Sequence, residues 1–162
     1  MTTAGRLRTV VWAAVLAVAV AGIGGALTEL GPWYYGLRKP AFQPPDWAFG
    51  PAWTLIFSLT ALAGVVAWTR TRDARTRRSI LLLFGLNVAL NILWSALFFK
   101  LHRPDWALFE VWLLWASIAA LIWSLWNRAQ VASVLLVPYL CWVTFAAILN
   151  MAVVQLNGPF GG

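Results

Sequence analysis

Charge is scarce in this chain. Of 162 residues, twelve are Lys or Arg, five are Asp or Glu and one is His. A soluble domain keeps about 25–35% of its surface charged, and so small a supply excludes a surface that faces water over most of its area. Cysteine is scarcer still. Cys141 stands alone inside an apolar run, so no internal disulfide can form, and no Cys/His spacing suggests a metal. The sequence also lacks a nucleophile–base–acid set, a phosphate-cradling glycine loop and a carboxylate pair, which excludes ordinary hydrolase and kinase chemistry.

What the chain has instead is apolar length: 62% of its residues are hydrophobic. Five runs stand out, at about residues 9–27, 50–68, 79–99, 106–126 and 131–154, each about 19 to 24 residues and long enough to cross a bilayer with some tilt. The fold class that follows is an all-α integral membrane protein. It is a single domain over residues 1–162, a bundle of five transmembrane helices. No stretch between the runs is long enough for a second domain. The first run follows Arg6 and Arg8 as a signal peptide would, but it exceeds the usual apolar core of one and no clean cleavage site follows it.

The net charge of +7 is concentrated. Arg70, Arg72, Arg75, Arg77 and Arg78 fall in one short stretch, which suits a loop facing anionic headgroups and argues against a nucleic-acid groove. With five spans, Arg6, Arg8, this loop and Arg128 share one side. Arg38, Lys39, Lys100 and Arg103 share the other, diluted by Glu29, Asp46 and Asp105. The richer side is expected to be cytoplasmic, placing the N-terminus inside the cell membrane.

Residues 28–50 form the one unusual connection. Pro40, Pro44 and Pro45 oppose regular helix there, while Trp33, Tyr34, Tyr35, Phe42, Trp47 and Phe49 give it apolar bulk. The density of proline favours a folded lid over the bundle above a plain interfacial aromatic belt.

Twelve tryptophans exceed what a belt at the ends of spans requires. Trp68, Trp106 and Trp126 suit a belt; Trp94, Trp112, Trp115 and Trp142 fall well inside their runs, where an indole either packs or walls a cavity for a flat ligand. Asn87, Asn91 and Trp94 share one helical face, which Phe98 extends. Amides at membrane depth must turn inward, either to bond between helices or to meet a ligand. In the fifth run Pro138, Trp142, Phe145 and Leu149 share a face with Tyr139 and Asn150 close by, and Pro138 is expected to kink the helix. Glu110 is the one acid well inside a span, set near enough to the interface for water or a loop base to reach it. His102 reads as a solvated loop residue. Ala13, Ala17, Ala21 and Gly25, and again Gly85, Ala89 and Ala96, place small residues on one face, for packing inside the bundle or for a dimer seam.

At this point three stretches resemble a known family. WYYGLRKPAFQPPDWAFGPAW, residues 33–53, is similar to the first-loop signature of the TspO/MBR family, the tryptophan-rich sensory proteins related to the mitochondrial translocator protein. Asn87, Asn91 and residues 94–99 resemble its third-helix pattern, and PYLCWVTFAAILN, residues 138–150, its fifth-helix pattern. The resemblance covers essentially the whole chain in order. It implies a five-helix bundle, a homodimer, and a pocket beneath the first loop that binds porphyrins such as protoporphyrin IX, with no obligate cofactor and no metal. It also implies either a receptor or sensor, a light- and oxygen-dependent porphyrin-degrading enzyme, or a transporter of small amphipathic molecules.

Carried over by motif, Trp53 and Trp142 would be the pocket tryptophans and the candidate catalytic residues of any degradation. Trp94, Asn87, Trp33, Pro44 and Trp47 would complete the lining. The inward faces read above add Asn91, Phe98, Tyr139 and Phe145, and Arg38 and Lys39 at the mouth are placed to pair with the propionates. Two departures stand out. Phe42 occupies a position where many relatives carry Trp. No Lys or Arg follows Arg128, so the sterol motif of the animal relatives, a Tyr followed by a base, cannot form at the end of the fifth helix.

Overall fold

The computed structural model describes residues 3–160; of these, the side chains of Thr3, Ala4 and Arg6 lie outside the description, and with them Arg6's share of the charge count. Five long helices dominate: α1 (Thr3–Leu27), α3 (Phe49–Arg70), α4 (Ala74–Ser95), α5 (Pro104–Trp126) and α6 (Gln130–Asn157). A one-turn helix, α2 (Pro32–Gly36), lies in the first connection. All five long helices carry stretches of 21 to 28 residues apolar enough to span a bilayer. Among the described residues there is no strand.

The spans match the five apolar runs and extend them. α4 begins five residues earlier than its apolar run, inside the arginine-rich stretch, because Asp73 supplies an N-cap: its carboxylate accepts from the N–H and the hydroxyl of Thr76, both at 2.7 Å. Those bonds hold the Asp73 carboxyl below the usual carboxylate range. Arg77 closes the preceding helix. Its Nε donates to the carbonyl of Thr71 at 2.8 Å while its guanidinium lies over the Trp68 ring, so a cation sits at a helix C-terminus. At its far end α4 widens into a π turn, Ala96–Lys100, closed by the Leu101 N–H on the Ala96 carbonyl at 2.9 Å. α6 runs as one helix through Pro138, whose ring faces outward.

The helices close into a ring in the order α1, α3, α6, α5, α4 and back to α1. α3 and α4, joined by residues 71–73 alone, touch little. The core falls in three layers along the bundle. At the arginine-rich end Ala63, Ala67, Ile80, Leu121, Leu125 and Leu136 pack together. Midway lie Ile56, Val111, Leu114, Ile118, Tyr139 and Val143. At the loop end Tyr34, Leu97, Phe98, Ala107 and Val153 form a third cluster. α5 and α6 supply most of the buried residues; among the described residues of α1 only Val20 is buried, and the helix leans on α3 and α4 from one side.

Residues 28–48 fold over the loop end. α2 starts on Pro32, whose missing N–H costs nothing at a first helical position. A 3-10 turn, Asp46–Ala48, leads into α3. Tyr34 crosses the loop to donate its hydroxyl to Asp46 Oδ1 at 2.7 Å, and Gln43 donates to that same hydroxyl oxygen at 3.2 Å. Burial and the neighbouring carboxylate raise the Tyr34 phenol well above its ordinary pKa. Asn157 at the end of α6 and His102 between α4 and α5 hold the loop from outside: Asn157 bonds the backbone of Arg38, and His102 stacks on Trp33 at 4.1 Å. His102 is exposed, as expected of a loop residue, and sits at φ 52 with its ring committed to this stack.

Candidate functional site

Beneath this loop lies a cavity of about 470 Å³, within the range of small-molecule sites. Its walls come from the C-terminal part of α1, the N-terminal part of α3, and the C-terminal parts of α4 and α6; α5 stands behind them. The composition of each wall follows from its helix. α1 gives Ala21, Gly24 and Gly25, and a Cβ built on either glycine meets nothing within 4 Å, so the absence of side chains here is itself space. α3 gives Trp53 and Phe57, stacked at 5.2 Å. α4 gives Asn91, Trp94, Ser95 and, through the π turn, both Phe98 and Phe99. α6 gives Trp142, Ala146, Leu149, Asn150 and Val153, a stripe at helical spacing.

The tryptophans meet as a box. Trp53 and Trp142 stand edge to face, centroids 6.4 Å apart, and Trp94 stacks on Phe98 at 5.2 Å. The buried indole N–H of Trp94 has no acceptor among the described residues. Most other buried polar groups here are paired. Asn91 donates to the Tyr139 hydroxyl at 3.1 Å and Asn87 to the Ser117 hydroxyl at 2.9 Å. The amide of Asn150, oriented by its neighbours, donates to the Pro104 carbonyl and accepts from the Leu108 N–H, each at 3.0 Å, and so ties α6 to the first turn of α5.

Of the residues expected at the site, the structure brings Trp53, Asn91, Trp94, Phe98 and Trp142 to the cavity wall. Tyr139 lies behind it, touching Trp53 edge-on at 6.1 Å, and Phe145 packs against Trp142 at 5.7 Å. Asn87 sits a turn deeper, bound to α5. Three loop residues lie off the wall. Trp33 is taken up by His102 and Phe98, Pro44 is half-buried in the loop, and Trp47 is 76% exposed. A loop that folds back on itself cannot turn every aromatic inward, and sequence spacing carries no sign of which ones turn.

The mouth is built differently from the expected basic pair. Tyr34, Gln43 and Asp46 line it. Lys39 stands over the Tyr34 ring at 3.8 Å with its ammonium 3.9 Å from Asp46, so its charge is already partly answered. Arg38 is exposed and held by its backbone, and its guanidinium has no partner among the described residues.

Glu110, expected within reach of water or a loop base, meets no base among the described residues. It is buried, and neither carboxylate oxygen has a partner among the described residues. The nearby base, Arg103, is held by Asp105, with Nε 2.8 Å from Oδ1, and lies over the Trp106 ring. Trp112 and Trp115 also leave the cavity to others: the first is 53% exposed and the second donates to Thr144 at 2.9 Å. Among the described residues no cluster of His, Cys, Asp and Glu is fit for a metal.

Comparison with known proteins shows which sequences this chain resembles. A model of the TspO/MBR family matches residues 12–156. The tryptophan-rich protein TspO of Chlorobaculum tepidum is 40% identical over 146 residues, spanning 88% of this chain and 91% of its own. The tryptophan-rich sensory protein of Cereibacter sphaeroides is 36% identical over 133 residues, or 82% of each chain. The human translocator protein is 31% identical over 131 residues, spanning 80% of this chain and 78% of its own.

Proposed function

Since this chain belongs to the TspO/MBR family of multi-pass membrane proteins, we propose that it is a receptor or sensor that binds a porphyrin, protoporphyrin IX or a haem-type tetrapyrrole, in the cavity under the first loop. The observation that carries the reading is the indole box. Trp53, Trp94 and Trp142 line a single cavity, their faces suit a flat apolar disc, and the Trp94 N–H, buried with no acceptor among the described residues, is a donor that a carbonyl or carboxylate on the disc's rim would satisfy. At the mouth Lys39, once drawn off Asp46, is available to a propionate, and Arg38, its neighbour in the loop, is the second base to pair there. Binding then reports tetrapyrrole level or stress through the loop. The charge count favours a cytoplasmic N-terminus in the cell membrane. Gly85 and Ala89, exposed on α4, offer a close-packed seam for a homodimer.

A second reading draws on the contact between Trp53 and Trp142. Two electron-rich rings 6.4 Å apart on the cavity wall are placed to be oxidised beside an illuminated porphyrin in the presence of oxygen, which would make the site degradative. For transport, the structure supplies no favouring feature, since the arginine-rich half of the bundle is filled by the packed layer around Leu121, Leu125 and Leu136.

The test is a dark titration of the detergent-purified protein with protoporphyrin IX, read by porphyrin absorbance and by tryptophan quenching. The Trp53→Phe/Trp142→Phe double variant is run beside it. Saturable binding that weakens in the variant supports the site; no saturable binding, or equal binding by both proteins, refutes it. Illuminated turnover that vanishes in the variant would favour the enzyme.

A further inference from the structure

At the opposite end of the bundle, the seam between α4 and α5 opens into a second crevice of about 280 Å³. Its rim is basic and hydroxylated. Arg75 and Ser79 come from the first turns of α4, and Ser124 and Arg128 from the end of α5 and the turn beyond it. Its floor is apolar, made by Ile80 and Leu83. Tight packing resumes a turn farther in, where Asn87 donates to Ser117.

Arg75 and Arg128 are the two arginines on the crevice rim. Arg77 is consumed by the end of α3. Arg128 gives one Nη to the carbonyl of Ser124 at 2.8 Å and keeps its other donors. Arg75 has no side-chain hydrogen bond or ion pair among the described residues. Asp73, the acid of the 71–73 turn, is engaged by Thr76. Two guanidinium forks over one crevice match the oxygens of a phosphate group; the hydroxyls of Ser79 and Ser124 already donate to the carbonyls of Arg75 and Leu121. The floor decides which kind of phosphate. Inorganic phosphate would leave Ile80 and Leu83 without a partner. A phospholipid sets its glycerol against them, and its acyl chain continues past Leu83 to Leu86, one turn on and 51% exposed on the bundle surface.

We propose that this crevice is a binding site for an anionic phospholipid, its phosphate held between Arg75 and Arg128 and its chain laid along α4. The site is separate from the porphyrin cavity, whose α4 wall begins at Asn91, and stands whether or not a porphyrin binds there.

Native mass spectrometry of the full chain in a zwitterionic detergent tests it, with phosphatidylglycerol, phosphatidylcholine or inorganic phosphate added. The Arg75→Gln/Arg128→Gln and Arg72→Gln/Arg78→Gln double variants lose the same charge, one inside the crevice and one outside it. The expected result is one retained phosphatidylglycerol, held at least about tenfold more weakly by the crevice variant and little changed in the other. Equal loss in both variants means diffuse attraction to the loop and overturns the proposal. So does equal retention of phosphatidylcholine, or displacement of the lipid by inorganic phosphate at matched concentration. Should the Gln variant fail to fold, Arg75→Lys/Arg128→Lys decides. It keeps the charge but loses the forks, and unchanged retention would count against the site.

Discussion

Asn157 holds the backbone of Arg38 from both sides: its Oδ1 accepts from the Arg38 N–H at 2.7 Å and its Nδ2 donates to the Arg38 carbonyl at 2.9 Å, across 119 residues of sequence. The last residue of α6 thereby fixes the far edge of the loop that roofs the cavity. Two such bonds contribute roughly 1–3 kcal/mol to keeping the loop closed. Asn157→Ala is expected to leave the spans intact while speeding proteolysis within residues 37–45 and raising the dissociation rate of bound porphyrin about tenfold. Stopped-flow dissociation beside limited proteolysis checks both.

The Tyr34–Asp46 bond at 2.7 Å makes a pH prediction whose sign is fixed. Burial and the Asp46 carboxylate raise the phenol in the folded protein, while in the unfolded chain it titrates near pH 10. Above about pH 10 the unfolded state therefore binds fewer protons than the folded one, and stability falls as pH rises. Melting temperatures measured between pH 8 and pH 11 should decline more steeply for the native chain than for Tyr34→Phe. At pH 8 the Phe variant should itself be less stable by about 1–3 kcal/mol, having lost a bond to a charged acceptor. Parallel pH profiles would refute the assignment.

Glu110 sits buried with both oxygens unpartnered. Such a group costs about 1–3 kcal/mol relative to an apolar residue that fills the same space. Glu110→Met should therefore raise the melting temperature in detergent, against the usual direction for core substitutions. A lower melting temperature would mean that the carboxyl has a partner in the folded protein.

How far sequence reaches is clear from individual residues. Span count and approximate extent were legible because lipid imposes a length on apolar runs. Trp53, Asn91, Trp94, Phe98 and Trp142 were legible because helical spacing, or the family motif, assigns each to an inward face. Tyr34, Gln43 and Asp46 were not. They reach the mouth through one hydrogen-bonded knot inside a loop without periodicity, and proline density shows that such a loop is folded without showing how. Nor did the small residues of α1 declare themselves. Ala21 and Gly25 satisfy a packing pattern as well as they satisfy a cavity wall, and only the empty space beside Gly24 and Gly25 separates the two.

That empty space can be used. A Cβ at Gly25 meets no atom within 4 Å, so Gly25→Ala should stabilise α1 by about 0.5–1 kcal/mol through helix propensity alone. Gly25→Phe should fold equally well while filling the cavity and abolishing saturable porphyrin binding. Melting curves and absorbance titrations of the two variants together separate loss of space from loss of fold.

Trp94 gives the sharpest separation of binding from stability. Its N–H is already without an acceptor, so Trp94→Phe breaks no bond in the empty protein and keeps a ring stacked near Phe98. The melting temperature of the unliganded variant should stay within a degree or two of the parent. With a porphyrin whose carboxylate or carbonyl accepts from that N–H, the variant loses a hydrogen bond to a charged or polar acceptor, about 1.5–3 kcal/mol, or roughly tenfold to a hundredfold in Kd. The esterified porphyrin, stripped of its carboxylate charge, should show a smaller difference between parent and variant if a propionate is the partner. An equal difference for acid and ester would move the partner to another oxygen of the ligand, and no difference for either would leave the Trp94 N–H without a role in binding.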